Sequence, residues 1–316
     1  MKKTKALVLF SGGLDSRLAV KLLQDQKNLD VSAVFFKLPF GGGCCNNQSC
    51  VVNFAQLQET QLYIIDLTKG KNFEEYLEIV KKPKHGTGTS INPCKDCKIF
   101  MLQKAKELAD EIGAEIVATG EVLGQRPMSQ LKQALLLSET KSNLKGRLLR
   151  PLSAKLLPET DAEKKGIVNR KLLLGIQGRQ RKIQMKLAEK YKIKYPESGG
   201  GCILCEKQYT PKLVDLFKNQ KTKIKPEHIQ LLKIGRHFRN KKTNSKIILG
   251  RNENENTLLG QLNKTLNYNI LIPPKIPGPT AIYENKEDKK LTEDLIKAYE
   301  KDAKPALKDK FIKLKI

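Results

Sequence analysis

The sequence predicts an α/β protein built on a doubly wound parallel sheet, followed by a second, smaller α+β domain. Three observations carry that expectation. Ala6-Leu7-Val8-Leu9-Phe10 is an unbroken apolar run, as a strand buried on both faces requires, and it leads through Ser11-Gly12-Gly13 into Leu14, Leu18, Leu22 and Leu23 at helical spacing. Strand-like and helix-like stretches then alternate to about residue 120. Beyond residue 226 the pattern changes to short strands around one helix. The domains are therefore placed at 1–210 and 227–316, with 211–226 as a linker.

Composition narrows the chemistry. A hydrophobic content of 39% suffices for two cores. Lys+Arg outnumber Asp+Glu by 59 to 33, a formal charge of +26 that exceeds what solubility needs. RNA is the favoured polyanion; a lysine-rich composition from an AT-rich genome is the other source of such a bias. With 6% aromatics and no Trp, recognition should rest on phosphates and shape more than on stacked bases. There is neither an 18-residue apolar run nor a signal-peptide pattern, so no membrane partner is expected and a cytoplasmic location is. Seven cysteines in a reducing compartment point to metal or sulfur chemistry rather than a disulfide framework.

Taken in order, the first loop is suited to an anion. Gly12 and Gly13 permit a positive φ and close backbone approach, and the helix behind them adds its positive end, although a plain βα turn has the same outline. A second strand, Val31–Phe36, leads into a loop carrying Cys44, Cys45 and Cys50, either thiol or metal chemistry beside the nucleotide or incidental thiols. A helix from about Val52 to Glu59, a strand Gln61–Leu67 and a helix around Phe73–Lys81 continue the alternation. Asn92-Pro93 then turns the chain into a helix reaching Ile112, with Cys94 and Cys97 at its start, where the dipole favours thiolate over thiol. Glu115–Gly120 is the next strand.

From Asp161 to about Tyr191 the pattern reads as helical and basic, a solvated face or a place for an RNA backbone. Cys202 and Cys205 make a second Cys-x-x-Cys. With Cys94 and Cys97 they form a candidate four-cysteine site for zinc or an iron–sulfur cluster, or a pair cycling between persulfide and disulfide. In the second domain, strands are expected at 235–239, 245–249 and 268–272, a helix through Leu258, Leu259 and Leu262, a rigid Pro277-Gly278-Pro279 loop, and a helical tail from Leu291 to about Ala303. Asn252 and Asn256 suit helix capping, and His85 and His228 read as exposed.

Ser11-Gly12-Gly13-Leu14-Asp15-Ser16 resembles the Ser-Gly-Gly-x-Asp-Ser signature of the PP-loop ATP pyrophosphatases. That resemblance implies an ATP site of Ser11, Gly12, Gly13, Asp15 and Ser16, with Asp15 near Mg2+. Asn92-Pro93-Cys94-Lys95-Asp96-Cys97 is similar to a segment of the tRNA 2-thiouridylases, which implies that Cys97 attacks or carries sulfur. Thr119-Gly120-Glu121, Leu123-Gly124-Gln125 and Leu149-Arg150-Pro151-Leu152 resemble the tRNA 4-thiouridine synthetases and add Gly120 to the nucleotide site. Arg126-Pro127-Met128 departs from that family, and its ferredoxin-like, RNA-binding and sulfurtransferase-like modules have no counterpart in this sequence. Leu249-Gly250-Arg251-Asn252, Glu255-Asn256 and the Pro-Gly-Pro loop resemble the NFACT-type RNA-binding domain.

Together these resemblances imply ATP-dependent thiolation of a tRNA uridine, to 4-thio- or 2-thiouridine. Catalysis falls to Cys97, Asp15 and, as resolving thiol, Cys205, and a metal set to Cys94, Cys97, Cys202 and Cys205. Arg126, Arg236, Arg239 and Arg251 are assigned to phosphate contact and His237 to stacking on a base. ATP and Mg2+ are the implied cofactors, with an iron–sulfur cluster or Zn2+. The implied partners are tRNA and a sulfur donor such as a cysteine desulfurase or free sulfide. Two other classes stay open, a PP-loop ligase adenylating a small molecule and a non-catalytic RNA-binding protein.

Overall fold

Apolar runs that need cover on both faces give a parallel sheet sandwiched by helices. The structure is a computed structural model and describes residues 3–41, 48–88, 90–197, 202–273, 278–301 and 303–316. It divides into two units, Met1–Cys205 and Glu206–Ile316.

In the first unit the order is β1 (Thr4–Leu9), α1 (Leu14–Gln24), β2 (Leu29–Lys37), α2 (Gln48–Leu57), β3 (Gln61–Asp66), α3 (Gly70–Lys81), α4 (Cys94–Ile112), β4 (Ile116–Thr119), α5 (Lys132–Lys141), β5 (Leu148–Leu149), α6 (Asp161–Lys164) and α7 (Lys182–Lys190). The strands pair in parallel in the order β3-β2-β1-β4-β5. The chain thus winds outward from β1 on one side, then crosses to its other side at β4. Ligands of such sheets sit at that switch point, beyond the carboxyl ends of the two strands. Ala6, Leu7 and Val8 are almost fully buried, and Ala6 and Val8 pack with Leu14, Leu18 and Leu23 of α1.

Two expectations change here. The stretch 161–191 is not one helix but α6, a short 3₁₀ turn at Arg170–Leu172, and α7. Gly166 and Gly178, both at positive φ, interrupt it. Nor does α5 or β5 stand out in the sequence, since a two-residue strand has no periodicity to detect.

The second unit runs α8 (Thr210–Asn219), α9 (Pro226–Leu231), β6 (Arg236–Asn240), β7 (Ser245–Leu249), α10 (Glu253–Leu266), β8 (Asn269–Leu271), β9 (Ala281–Tyr283), α11 (Lys289–Tyr299) and α12 (Pro305–Asp309). Its antiparallel sheet has the order β6-β7-β9-β8 and is covered on both faces: Ile247 and Leu249 pack with Leu295 and Ile296, while Ile248 packs with Leu231 and Leu259. The segment 211–226, read as a linker, lies within this unit. Asp215 of α8 accepts hydrogen bonds from Arg239 Nε at 2.5 Å and Nη2 at 2.8 Å and from Lys246 Nζ at 3.1 Å. Among the described residues no helix is long and apolar enough to cross a membrane.

Candidate active site

β1 delivers the chain to the sheet edge at Phe10, whose N–H bonds Val34 O at 2.8 Å. The backbone then turns through Gly12 at φ +81, a conformation only glycine adopts without strain, and a Cβ there would also press on Val51 at 3.0 Å. Gly13 caps α1 without a side-chain hydrogen bond, so the loop offers the first-turn N–H groups that an anion takes up. Ser16 Oγ donates to Gly13 O at 2.9 Å, and Ser11 Oγ donates to Ser16 Oγ at 3.3 Å. Beneath the loop, buried Arg17 holds it in place. Its Nε donates to Gly12 O at 2.7 Å, Nη1 to Lys194 O at 3.0 Å and Nη2 to Cys50 Sγ at 3.0 Å, with the guanidinium 4.5 Å from the Phe54 ring centre.

β4 closes the other side of the crevice. A Cβ on Gly120 would lie 2.6 Å from the Asp15 carbonyl and the Ser16 nitrogen, so this glycine is where strand and phosphate loop touch. Asp15 Oδ2 accepts from Gln125 Nε2 at 2.7 Å and faces Arg181 at 3.7 Å, while Asp15 Oδ1 is buried with no hydrogen-bond partner among the described residues. Next to Gly120, buried Glu121 accepts from Thr119 Oγ1 at 3.0 Å and Arg150 Nε at 3.3 Å, with Lys98 Nζ at 3.5 Å. Burial pushes the Glu121 carboxyl up, but Lys98, Arg150 and Thr119 together hold it below the usual range.

Lys98 belongs to α4, directly after Cys97, so this pairing sets the start of α4 at the same sheet edge as the phosphate loop. There Cys97 Sγ accepts from Tyr76 Oη at 3.3 Å, Asn92 Nδ2 donates to Cys94 Sγ at 3.2 Å, and Cys202 Sγ donates to Phe40 O at 3.4 Å. Tyr76 lies between Phe40 and Phe100, with ring centres 6.1 and 5.8 Å away. Burial pushes the Cys97 thiol up to about 12, with Cys202, Cys94 and Asp96 adding to the rise against the Tyr76 hydrogen bond. The expectation of a thiolate at this helix start is therefore corrected: desolvation outweighs the dipole.

Cys205 is exposed, and Cys50 sits apart from this group, against Arg17. Cys44 and Cys45 lie outside the described residues. Among the described residues no group of three or more His, Cys, Asp or Glu side chains is gathered as a metal site. The loop N–H groups and the buried Asp15 Oδ1 are of the chemistry that a nucleotide and its divalent cation take up.

The residues proposed for RNA contact divide. Arg126 is exposed, and its guanidinium makes no hydrogen bond or ion pair among the described residues. Arg236 donates to Gly250 O at 3.2 Å and lies 5.0 Å from the Tyr299 ring centre. Arg251 pairs with Glu255 at 2.6 Å but stays half exposed. Arg239 is committed to Asp215, an internal pair. His237 is 1% exposed, donates from Nε2 to Ile234 O at 2.8 Å, and cannot stack on a base. Both other histidines are also corrected: His228 is buried between Lys225 N and Tyr268 Oη, and His85 Nδ1 bonds Asp96 at 2.7 Å. Asn252 does cap α10, through Glu255 N at 3.0 Å, whereas Asn256 ties α10 to Gly278 O and Thr280 N.

Residues 1–168, over half of the chain, match the family model described as Thiamine biosynthesis protein (ThiI). The chain belongs to the ThiI family. In this ThiI-family chain, residues 235–308 also match the NFACT protein RNA binding domain. Its relatives include a probable tRNA sulfurtransferase of Methanocaldococcus jannaschii, 28% identical over 148 residues, covering 47% of this chain and 36% of the relative. Another is the tRNA-specific 2-thiouridylase MnmA 1 of Aliarcobacter butzleri, 30% identical over 123 residues, covering 38% of this chain and 35% of the relative. The chain thus spans about a third of the length of these curated relatives. Among solved structures, the U34-tRNA thiolase NcsA from Methanococcus maripaludis with its [4Fe-4S] cluster aligns over 73% of this chain and 71% of its own, at 19% identity and a TM-score of 0.39.

Arg17, Gln125, Arg181 and Gln184 are site residues that the sequence reading passed over in this role. Gln125 was visible within its motif. Arg181 and Gln184 act through partners remote in sequence, as Arg17 does in its bonds to Lys194 and Cys50, and no local signal marks them.

Proposed function

We propose that this protein thiolates a uridine of tRNA at the expense of ATP. The observation that carries the reading is the shared sheet edge: the chain of contacts from Asp15 to Gly120, Glu121, Lys98 and Cys97 joins the phosphate loop to the buried thiols within one unit. The ThiI family membership and the RNA-binding domain match at 235–308 support tRNA as the substrate.

In this mechanism Ser11, Gly12, Gly13 and Ser16 receive the pyrophosphate end of ATP, and Asp15 Oδ1 takes a place on its Mg2+. A uridine carbonyl oxygen attacks the α-phosphorus, pyrophosphate leaves, and the oxygen is thereby turned into a leaving group, AMP. Cys97, loaded as a persulfide by a sulfur donor, attacks the activated carbon through its outer sulfur and expels AMP. Cys202, within electrostatic reach of Cys97, is a better candidate than exposed Cys205 for the resolving thiol. Its attack on the inner sulfur of Cys97 leaves the outer sulfur on the base as thiouridine and forms a Cys97–Cys202 disulfide. An external dithiol then returns two electrons to that disulfide.

The test is release of pyrophosphate and AMP from ATP with and without tRNA. Release that requires tRNA supports the reading. Release with small substrates but not tRNA favours the ligase, and none under any condition leaves an RNA binder.

A further inference from the structure

Helix α7 sends a buried side chain toward the phosphate loop from a stretch of sequence that carries no nucleotide motif. Gln184 is 0% exposed, and its Nε2 donates to Gln125 Oε1 at 3.2 Å. Gln125 in turn donates from Nε2 to Asp15 Oδ2 at 2.7 Å. An amide has a donor end and an acceptor end, so the relay has a direction. Because Gln184 offers N–H to the oxygen of Gln125, Gln125 turns its own N–H2 to Asp15. That engages Oδ2 and leaves the buried Oδ1 without a hydrogen-bond partner among the described residues.

We propose that Gln184 is a positioning residue of the nucleotide site: through the Gln125 amide it orients Asp15 so that Oδ1 is presented to the divalent cation carried by the triphosphate. The proposal rests on the reading of the loop as an ATP site. It concerns a residue outside the segment 1–168 that matches the family model. If Gln184 loses its N–H donor, the Gln125 amide is free to reverse, and its oxygen then faces the Asp15 carboxylate. The two repel, and Asp15 moves off its cation-facing rotamer.

This orientation argument gives an order of effects that packing alone would invert. Gln184→Glu keeps the shape of the side chain but replaces the donor by an acceptor, so it draws the Gln125 N–H2 to itself and forces the reversal. Gln184→Met removes both functions and merely permits it. Equilibrium binding of ATP to the full chain, with and without Mg2+, is the measurement, with thermal unfolding recorded beside it. Magnesium–ATP affinity should fall from wild type to Gln184→Met to Gln184→Glu, the last by about tenfold or more, as loss of a hydrogen bond to a charged group implies. Metal-free ATP affinity should change less than twofold. Gln125→Leu, which cuts the same relay one link nearer the loop, should also lose magnesium-dependent affinity and keeps the question open to refutation if either Gln184 variant unfolds. Wild-type binding with Gln184→Glu equal to or better than Gln184→Met, or an unaffected Gln125→Leu, overturns this inference alone. A wild type that does not bind magnesium–ATP overturns both it and the function proposed above.

Discussion

Gly120→Ala tests whether the end of β4 and the phosphate loop form one rigid contact. The added Cβ would meet three backbone atoms, Asp15 C, Asp15 O and Ser16 N, each at 2.6 Å, where ordinary contact begins at 3.4 Å. None is the end of a flexible side chain, so the first turn of α1 must shift bodily by about 0.8 Å. Overpacking of this kind costs about 1–3 kcal/mol. In a unit of this size each kcal/mol lowers the melting temperature by about 2–4 °C, so a fall of roughly 3–10 °C is expected. Nucleotide affinity should drop with it, because the shifted turn carries Asp15 and the N–H groups of the loop. Gly13→Ala is the control: its Cβ finds only Ser11 Oγ at 3.6 Å, and its φ of −77 suits any residue, so stability should change by less than about 1 kcal/mol. Scanning calorimetry and ATP titration read both. A Gly120→Ala variant as stable as wild type, with unaltered ATP affinity, would refute the close approach.

Three further outcomes are expected. At pH 8 iodoacetamide should label exposed Cys205 far faster than Cys97, because burial both shields Cys97 from the reagent and pushes its thiol up to about 12, and the Cys97 rate should still be climbing at pH 10; peptide mass mapping checks it. Burial takes His228 from 6.5 down to about 4, so between those values the unfolded chain binds a proton that the folded one does not. The second unit should then lose about 3 kcal/mol as pH falls through that window, read as faster hydrogen exchange over residues 226–283 and flattened by His228→Gln. Arg239→Ala should destabilise the second unit by about 1–3 kcal/mol, because the half-buried Asp215 loses its bidentate partner but keeps Lys246, whereas Arg126→Ala should leave stability alone and reduce the salt slope of RNA binding by about 0.7–0.9, in a filter-binding series.

What the sequence discloses and what it hides divide along the distance between interacting residues. Gly12, Gly13 and Asp15 are legible because a strand, a tight turn and a helix start all lie within a dozen residues, and each residue type has a local reason to be there. Helix α4 is legible to its ends for the same reason: Asn92-Pro93 opens it and Gly113, at positive φ, closes it. Gln184 and Arg17 are not, because their partners stand 59 residues away at Gln125 and 177 at Lys194. The protonation of Cys97 was misread because a helix dipole is local while burial under Tyr76 is tertiary. His237 was misread for a related reason: β6 belongs to a sheet covered on both faces, where a polar residue gives no sign of facing solvent. The lysine-rich run after Asn219 resembles a linker in composition, yet Asp215 fastens the helix before it to β6 and β7.

The most direct trial of sulfur transfer through the buried thiols is a paired assay of Cys97→Ala, in which AMP and pyrophosphate release is followed in one aliquot and thiolated nucleosides are weighed by mass spectrometry in another. Pyrophosphate should still be released, stoichiometrically with tRNA as the adenylated base accumulates, while AMP release and thiouridine both disappear. Thiouridine formed at an undiminished rate would contradict the account.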